Sequence, residues 1–89
     1  MGLPKNEYTI PVIRAIQANG GTATMNEIIS NLDSTILLKH KLDNKYNFYT
    51  KIGRLVRNNY IKRKHYNKYT TQVYSLSPRS LRMIENGEV

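Results

Sequence analysis

Asn47, Thr50 and Arg54 are the side chains of this sequence best suited to reading another molecule through hydrogen bonds. A carboxamide donates and accepts at once, a guanidinium presents a planar fork of donors, and a hydroxyl meets either kind of group. Around them stand Lys45, Tyr46, Lys51, Arg57, Lys62, Arg63, Lys64 and Lys68, and the stretch 44–76 that carries them all contains no Asp or Glu. Such a set suits an extended polyanion, whose charge the bases would grip while the first three residues met its variable groups. Catalysis has no comparable set. Glu27 belongs to a helix cap, Asp33 and Asp43 are isolated in sequence, and neither a glycine-rich phosphate loop nor a nucleophile with an evident base is found. His40 lies between Lys39 and Lys41 without a second His, a Cys or a carboxylate pair beside it. It is therefore expected as a surface residue, and neither a metal nor any other cofactor is expected.

Bulk properties point the same way. The chain of 89 residues carries a formal charge of +8, and its pI near 9.9 implies an acidic partner: nucleic acid, an anionic membrane surface or an acidic protein. A sequence this short closes one hydrophobic core, so residues 1–89 are expected to form a single domain, for which a dimer interface would be a natural further source of stability. No apolar run approaches the ~20 residues of a bilayer span, and the N-terminus lacks the apolar block of a signal peptide. A cytoplasmic, nucleoid-associated protein is expected. With no cysteine, neither disulfides nor a cysteine metal site can contribute.

The elements that must position these residues can be read in order. Residues 1–7 read as an N-terminal arm. Ile10, Val12, Ile13 and Ile16 then recur with helical spacing, Thr9 is placed to cap that helix, Pro11 is tolerated in its first turn, and Gly20 and Gly21 end it. Thr24, Met25, Asn26 and Glu27 spell a capping box, so a second helix begins there with Ile28, Ile29 and Leu32 inward, preceded by a very short strand at 22–23. Segment 33–43 has two readings. In one, Ser34 caps a short helix carrying Ile36, Leu37, Leu38 and Leu42; in the other, a loop buries some of these leucines, and the helix is favoured.

A longer helix is predicted over 44–58. Phe48, Ile52, Leu55 and Val56 share one side with Tyr49 at its edge, while Tyr46, Asn47, Thr50, Gly53, Arg54 and Arg57 lie opposite. Surface helices ordinarily mix acids with bases four residues apart, and this one has no acid. Gly53 either lets a ligand come close or relieves crowding against a neighbouring helix, and the pattern alone does not choose. Residues 60–65 and 70–76 read as strands joined by a turn at 66–69, with Tyr74 and Leu76 inward and Lys62 and Lys64 directed away. Tyr66 and Tyr69 would stand at that turn. Ser77 and Pro78 open a last helix in which Leu81 and Ile84 pack and which Gly87 ends. The expected class is mainly α with a small antiparallel β-hairpin, α+β.

Helix, short strand, two helices, hairpin and short helix is the order of a winged helix-turn-helix domain, and the resemblance spans nearly the whole chain. It is carried by 24–32 as the second helix and by Ile52, Leu55, Val56, Asn59, Tyr60 and Ile61, with Asn59 where the family usually has glycine. Residues 73–81, V-Y-S-L-S-P-R-S-L, resemble the ending of small regulators of the PadR and MarR groups, without that ending's glycine. A weaker resemblance links Leu3, Pro4, Ile10, Pro11, Val12 and Ile13 to the N-terminal winged-helix domain of Mrr-type restriction proteins, which would imply DNA binding without cleavage. The resemblance implies a homodimeric regulator of transcription that binds double-stranded DNA, with 44–58 as recognition helix and 60–76 as wing. Asn47, Thr50 and Arg54 would then face base edges, and Lys45, Tyr46, Lys51, Arg57, Lys62, Arg63, Lys64 and Lys68 the backbone. A protein-docking or architectural module, or RNA binding through the same basic face, are the alternatives.

Overall fold

The computed structural model describes residues 6–64 and 72–89 of the chain. The expected turn at 66–69, with Tyr66, Lys68 and Tyr69, and most of the expected arm lie outside the described residues. Helices α1 (Thr9–Ala18), α2 (Met25–Asn31), α3 (Ser34–His40), α4 (Lys45–Arg57) and α5 (Pro78–Glu85) surround a small sheet of β1 (Thr22–Thr24), β2 (Ile61–Lys64) and β3 (Val73–Leu76). The molecule is mainly helical, as the periodicities predicted, and its antiparallel sheet has three strands where a two-stranded hairpin was expected, because β1 joins β3. None of the described helices is long and apolar enough to cross a membrane.

In the sheet the order is β1-β3-β2, both pairings antiparallel. Its register sorts the side chains. Arg63 and Ala23 flank Tyr74 on one face, while Lys62 flanks Ser75 and Lys64 flanks Val73 on the other. Tyr74 is buried as predicted and Leu76, opposite the buried Ile61, is half-buried; Lys62 and Lys64 are directed away and exposed, but Arg63, on the inner face, is exposed too. Val12, Ile13, Ile16, Ile28, Leu42, Phe48, Ile52, Leu55 and Tyr74 form the centre of one apolar cluster, fully shielded from solvent.

Several boundaries follow from caps that the sequence spells out. The Thr24 amide donates to Glu27 Oε1 at 2.9 Å and the Glu27 amide to Thr24 Oγ1 at 3.3 Å, completing the predicted capping box. The Thr24 backbone bond is the largest cause holding the Glu27 carboxyl below its usual range, followed by the Asn19 and Thr24 side chains. Gly20 and Gly21 take left-handed φ values of 86° and 95°, which close α1 and turn the chain into β1. Ser77 accepts from the Ser80 amide and Pro78 opens α5, as predicted.

Four details differ from the sequence reading. Thr9 does not cap α1: Tyr8 stands at the N-cap with no side-chain bond, because the chain is already turning at Asn6 to Tyr8 and rotates the Thr9 hydroxyl into the core. The segment after α2 is helical, but its cap is Asp33, whose Oδ1 accepts from the Thr35 amide at 2.8 Å. Within α3, Leu38 is 72% exposed, and it is Leu42, beyond the helix, that is buried. Leu81 is 48% exposed, because Ser80 and Met83 fix the inner face of α5 and a residue one step along a helix lies about 100° away.

Candidate functional site

Helix α4 begins where Asn44 Oδ1 accepts from the Asn47 amide at 3.1 Å. Phe48, Ile52 and Leu55 then anchor it in the core. Phe48 meets Tyr74 edge-on with ring centres 5.9 Å apart and Tyr49 at 5.7 Å. With that face buried, the opposite one is fixed by helical geometry. Tyr46, 79% exposed, Thr50, Gly53 and Arg57 follow one another at intervals of four, three and four residues along it, with Arg54 and the half-buried Asn47 beside them. Lys45 is exposed in the first turn, and no acid occupies either end of α4.

The candidate base readers thus fall on one side of one helix. Thr50 Oγ1 donates to the Tyr46 carbonyl at 3.0 Å, so its hydroxyl proton is engaged and its lone pairs remain as acceptors. Arg54 and Arg57 are exposed and form no ion pair among the described residues. Gly53 now has a clear setting. An added Cβ there would meet nothing within 4 Å, so crowding by a neighbouring helix does not explain the glycine. A glycine inside a helix costs about 1 kcal/mol relative to alanine.

Lys51 lies elsewhere. Its Nζ is 3.3 Å from both His40 Nδ1 and the His40 carbonyl oxygen, and 5.8 Å from the centre of the Tyr8 ring. Position 51 is turned from the open face, and its ammonium reaches the last residue of α3 and the ring of Tyr8 at the start of α1. His40 is likewise not the surface residue expected. Its side chain is 18% exposed, packs edge-on against Tyr8 at 5.2 Å, and places Nε2 3.7 Å from Glu7 Oε2. Glu7 also pairs with Lys39 at 2.8 Å, and that contact is the chief cause holding its carboxyl below the ordinary value. Among the described residues no three His, Asp or Glu side chains stand together as metal ligands.

From α4 the chain enters β2 through a turn at 58–60. Asn59 takes φ 63°, a left-handed conformation that asparagine tolerates better than other residues with a side chain, and it fills the position where glycine was the expected type. The first turn of α5 catches all three carbonyls of this turn. Arg79 Nη1 donates to Asn58 O at 2.8 Å, Ser77 Oγ to Asn59 O, and Ser80 Oγ to Tyr60 O. The Arg79 guanidinium also lies 4.1 Å from the centre of the Tyr60 ring. Sequence reasoning missed this clamp, although the polar run S-P-R-S was its visible trace: two hydroxyls and a guanidinium in a first turn exceed what capping needs.

Lys62 and Lys64 project from the outer face of the sheet; Arg63 is exposed but shares the inner face with Tyr74, and Lys68 lies outside the described residues. Burial pushes the Tyr74 phenol up from 10.0 to about 12, assisted by Tyr49 and opposed by Arg63. The fold therefore favours the neutral phenol. Its contribution is complete below pH 10 and is lost as pH climbs from 10 through about 12. Unfolding followed by far-UV circular dichroism across that window should show the loss, and Tyr74→Phe should flatten it.

Compared with models of protein families, with curated proteins and with solved structures, the chain matches none.

Proposed function

We propose that this chain is a winged helix-turn-helix protein that binds double-stranded DNA and regulates transcription as a homodimer. Helix α4 is its recognition helix, lying in the major groove, and β2 with β3 forms its wing. The observation that carries the reading is the open face of α4: exposed bases and hydrogen-bonding side chains, no acid, and a buried opposite face that leaves this side free. Asn47 and Arg54 have the donor and acceptor patterns for adenine and guanine, and Thr50 can meet a thymine methyl or a donor. Lys45, Tyr46 and Arg57 lie beside them for the sugar-phosphate chain, with Lys62, Lys64 and Lys68 along the wing. Arg63 belongs to the same strand, at its inner edge. Lys51, tied to His40, acts by fixing the angle of α4. Leu81, exposed on α5, supports α5 as part of a contact between two copies.

Selection of bound duplexes from a random pool at physiological salt tests the reading. A palindrome whose half-sites lie about one helical turn apart is the expected result. Retention without an enriched sequence would mean an architectural protein, and no retention of duplex would overturn the proposal.

A further inference from the structure

Gly53 has no internal reason to be glycine. Gly20, Gly21 and Gly87 hold left-handed φ values, whereas Gly53 is an ordinary helical residue. Apart from its two chain neighbours and the adjoining helix backbone, no atom lies within 4 Å of where its Cβ would be, so neither backbone conformation nor packing calls for it. Local propensity argues against it, since alanine would strengthen the helix at this point. What the position does have is its place on the open face, one turn after Thr50 and one turn before Arg57.

We propose that Gly53 is the point where the α4 backbone comes closest to bound DNA, and that a side chain there would hold the helix away from the base edges. The inference rests on the DNA-binding reading. Charge chooses the occupant. A second copy of this chain seated helix against helix would bring the exposed Arg54 and Arg57 of one copy toward those of the other, with no acid in the helix to offset them. A nucleic acid meets the same bases with phosphates. Close approach at the middle of the helix sets how deep it sits in the groove, and hence whether Asn47, Thr50 and Arg54 reach their partners together.

The experiment compares wild type, Gly53→Ala and Gly53→Leu for thermal midpoint, sedimentation and binding of a fluorescein-labelled duplex of mixed sequence. Gly53→Ala should raise the thermal midpoint while weakening binding roughly tenfold, and Gly53→Leu should weaken it further without lowering the midpoint below that of wild type. Stability and affinity moving in opposite directions separates lost approach from lost fold. Equal or tighter binding by Gly53→Ala overturns the inference and leaves the DNA reading standing. Weaker binding accompanied by a lower midpoint also overturns it, because the glycine would then serve the fold. A dimer in wild type that Gly53→Ala abolishes would assign the face to a second copy instead. Wild type that fails to bind the duplex overturns the DNA reading and this inference with it.

Discussion

Affinity for duplex DNA should fall about a thousandfold between roughly 50 and 200 mM salt if about six cations contact phosphates. The bases available for such contacts include Lys45, Arg57, Lys62 and Lys64, all exposed and without an ion pair among the described residues. Helix and sheet should nevertheless respond differently to substitution. Lys62→Ala with Lys64→Ala removes charge from the outer face of the sheet, so binding to every sequence should weaken alike and the logarithmic salt slope should flatten by about 0.9 per lysine. Arg54→Ala removes a fork suited to guanine, so the gap between a preferred and an unrelated duplex should narrow by about 1–3 kcal/mol. Fluorescence anisotropy over a salt series, with both duplexes and all three proteins, reads both effects. Identical behaviour of the two variants would remove the division of labour, and an affinity indifferent to salt would remove the nucleic acid.

Phe48→Ala should cost about 3–5 kcal/mol, a large share of the roughly 4–13 kcal/mol expected for a chain of this size. The ring is fully buried and stands against both Tyr49 and Tyr74, so its loss opens a cavity where α4 meets the sheet. Alanine cannot refill that space, and the surrounding helices relax only in part. A thermal midpoint lower by about 15 °C or more is expected by circular dichroism, with Phe48→Leu suffering less. DNA binding should disappear with the fold in Phe48→Ala, the reverse of Gly53→Ala, where the fold strengthens as binding weakens. A shift of only a few degrees would mean that α4 is not seated as described.

Local chemistry was legible in the sequence because its partners lie within a turn of each other. The Thr24 and Glu27 box, the Ser77 and Pro78 start of α5 and the left-handed glycines after α1 each depend on residues three or four apart. The periodicity that buries Phe48, Ile52 and Leu55 also fixed, by exclusion, the face carrying Tyr46, Thr50, Gly53 and Arg57. What escaped were side chains whose roles depend on distant neighbours. Lys51 looked like one more free base until α3 brought His40 beside it, and His40 looked exposed until Tyr8 and Glu7 closed over it. The α5 clamp joins residues about twenty positions apart. Leu81 carried the right hydrophobicity on the wrong side of its helix, since Ser80, a polar residue, was the one turned inward.

The pairing of β1 with β3 sets a timetable. Thr22 lies opposite Ser75, so the central strand is shared between a partner just upstream and one from the beginning of the chain. Helices can form from local contacts as the chain is made, but a pairing across more than half of its length waits on loop closure. A ribosome-bound chain that ends before β3 would hold its basic helix ready, yet lack the strand against which Phe48 and Ala23 are buried. Competence to grip a polyanion in the proposed manner would therefore arrive all at once, when β3 emerges and joins β1 and β2 in one sheet.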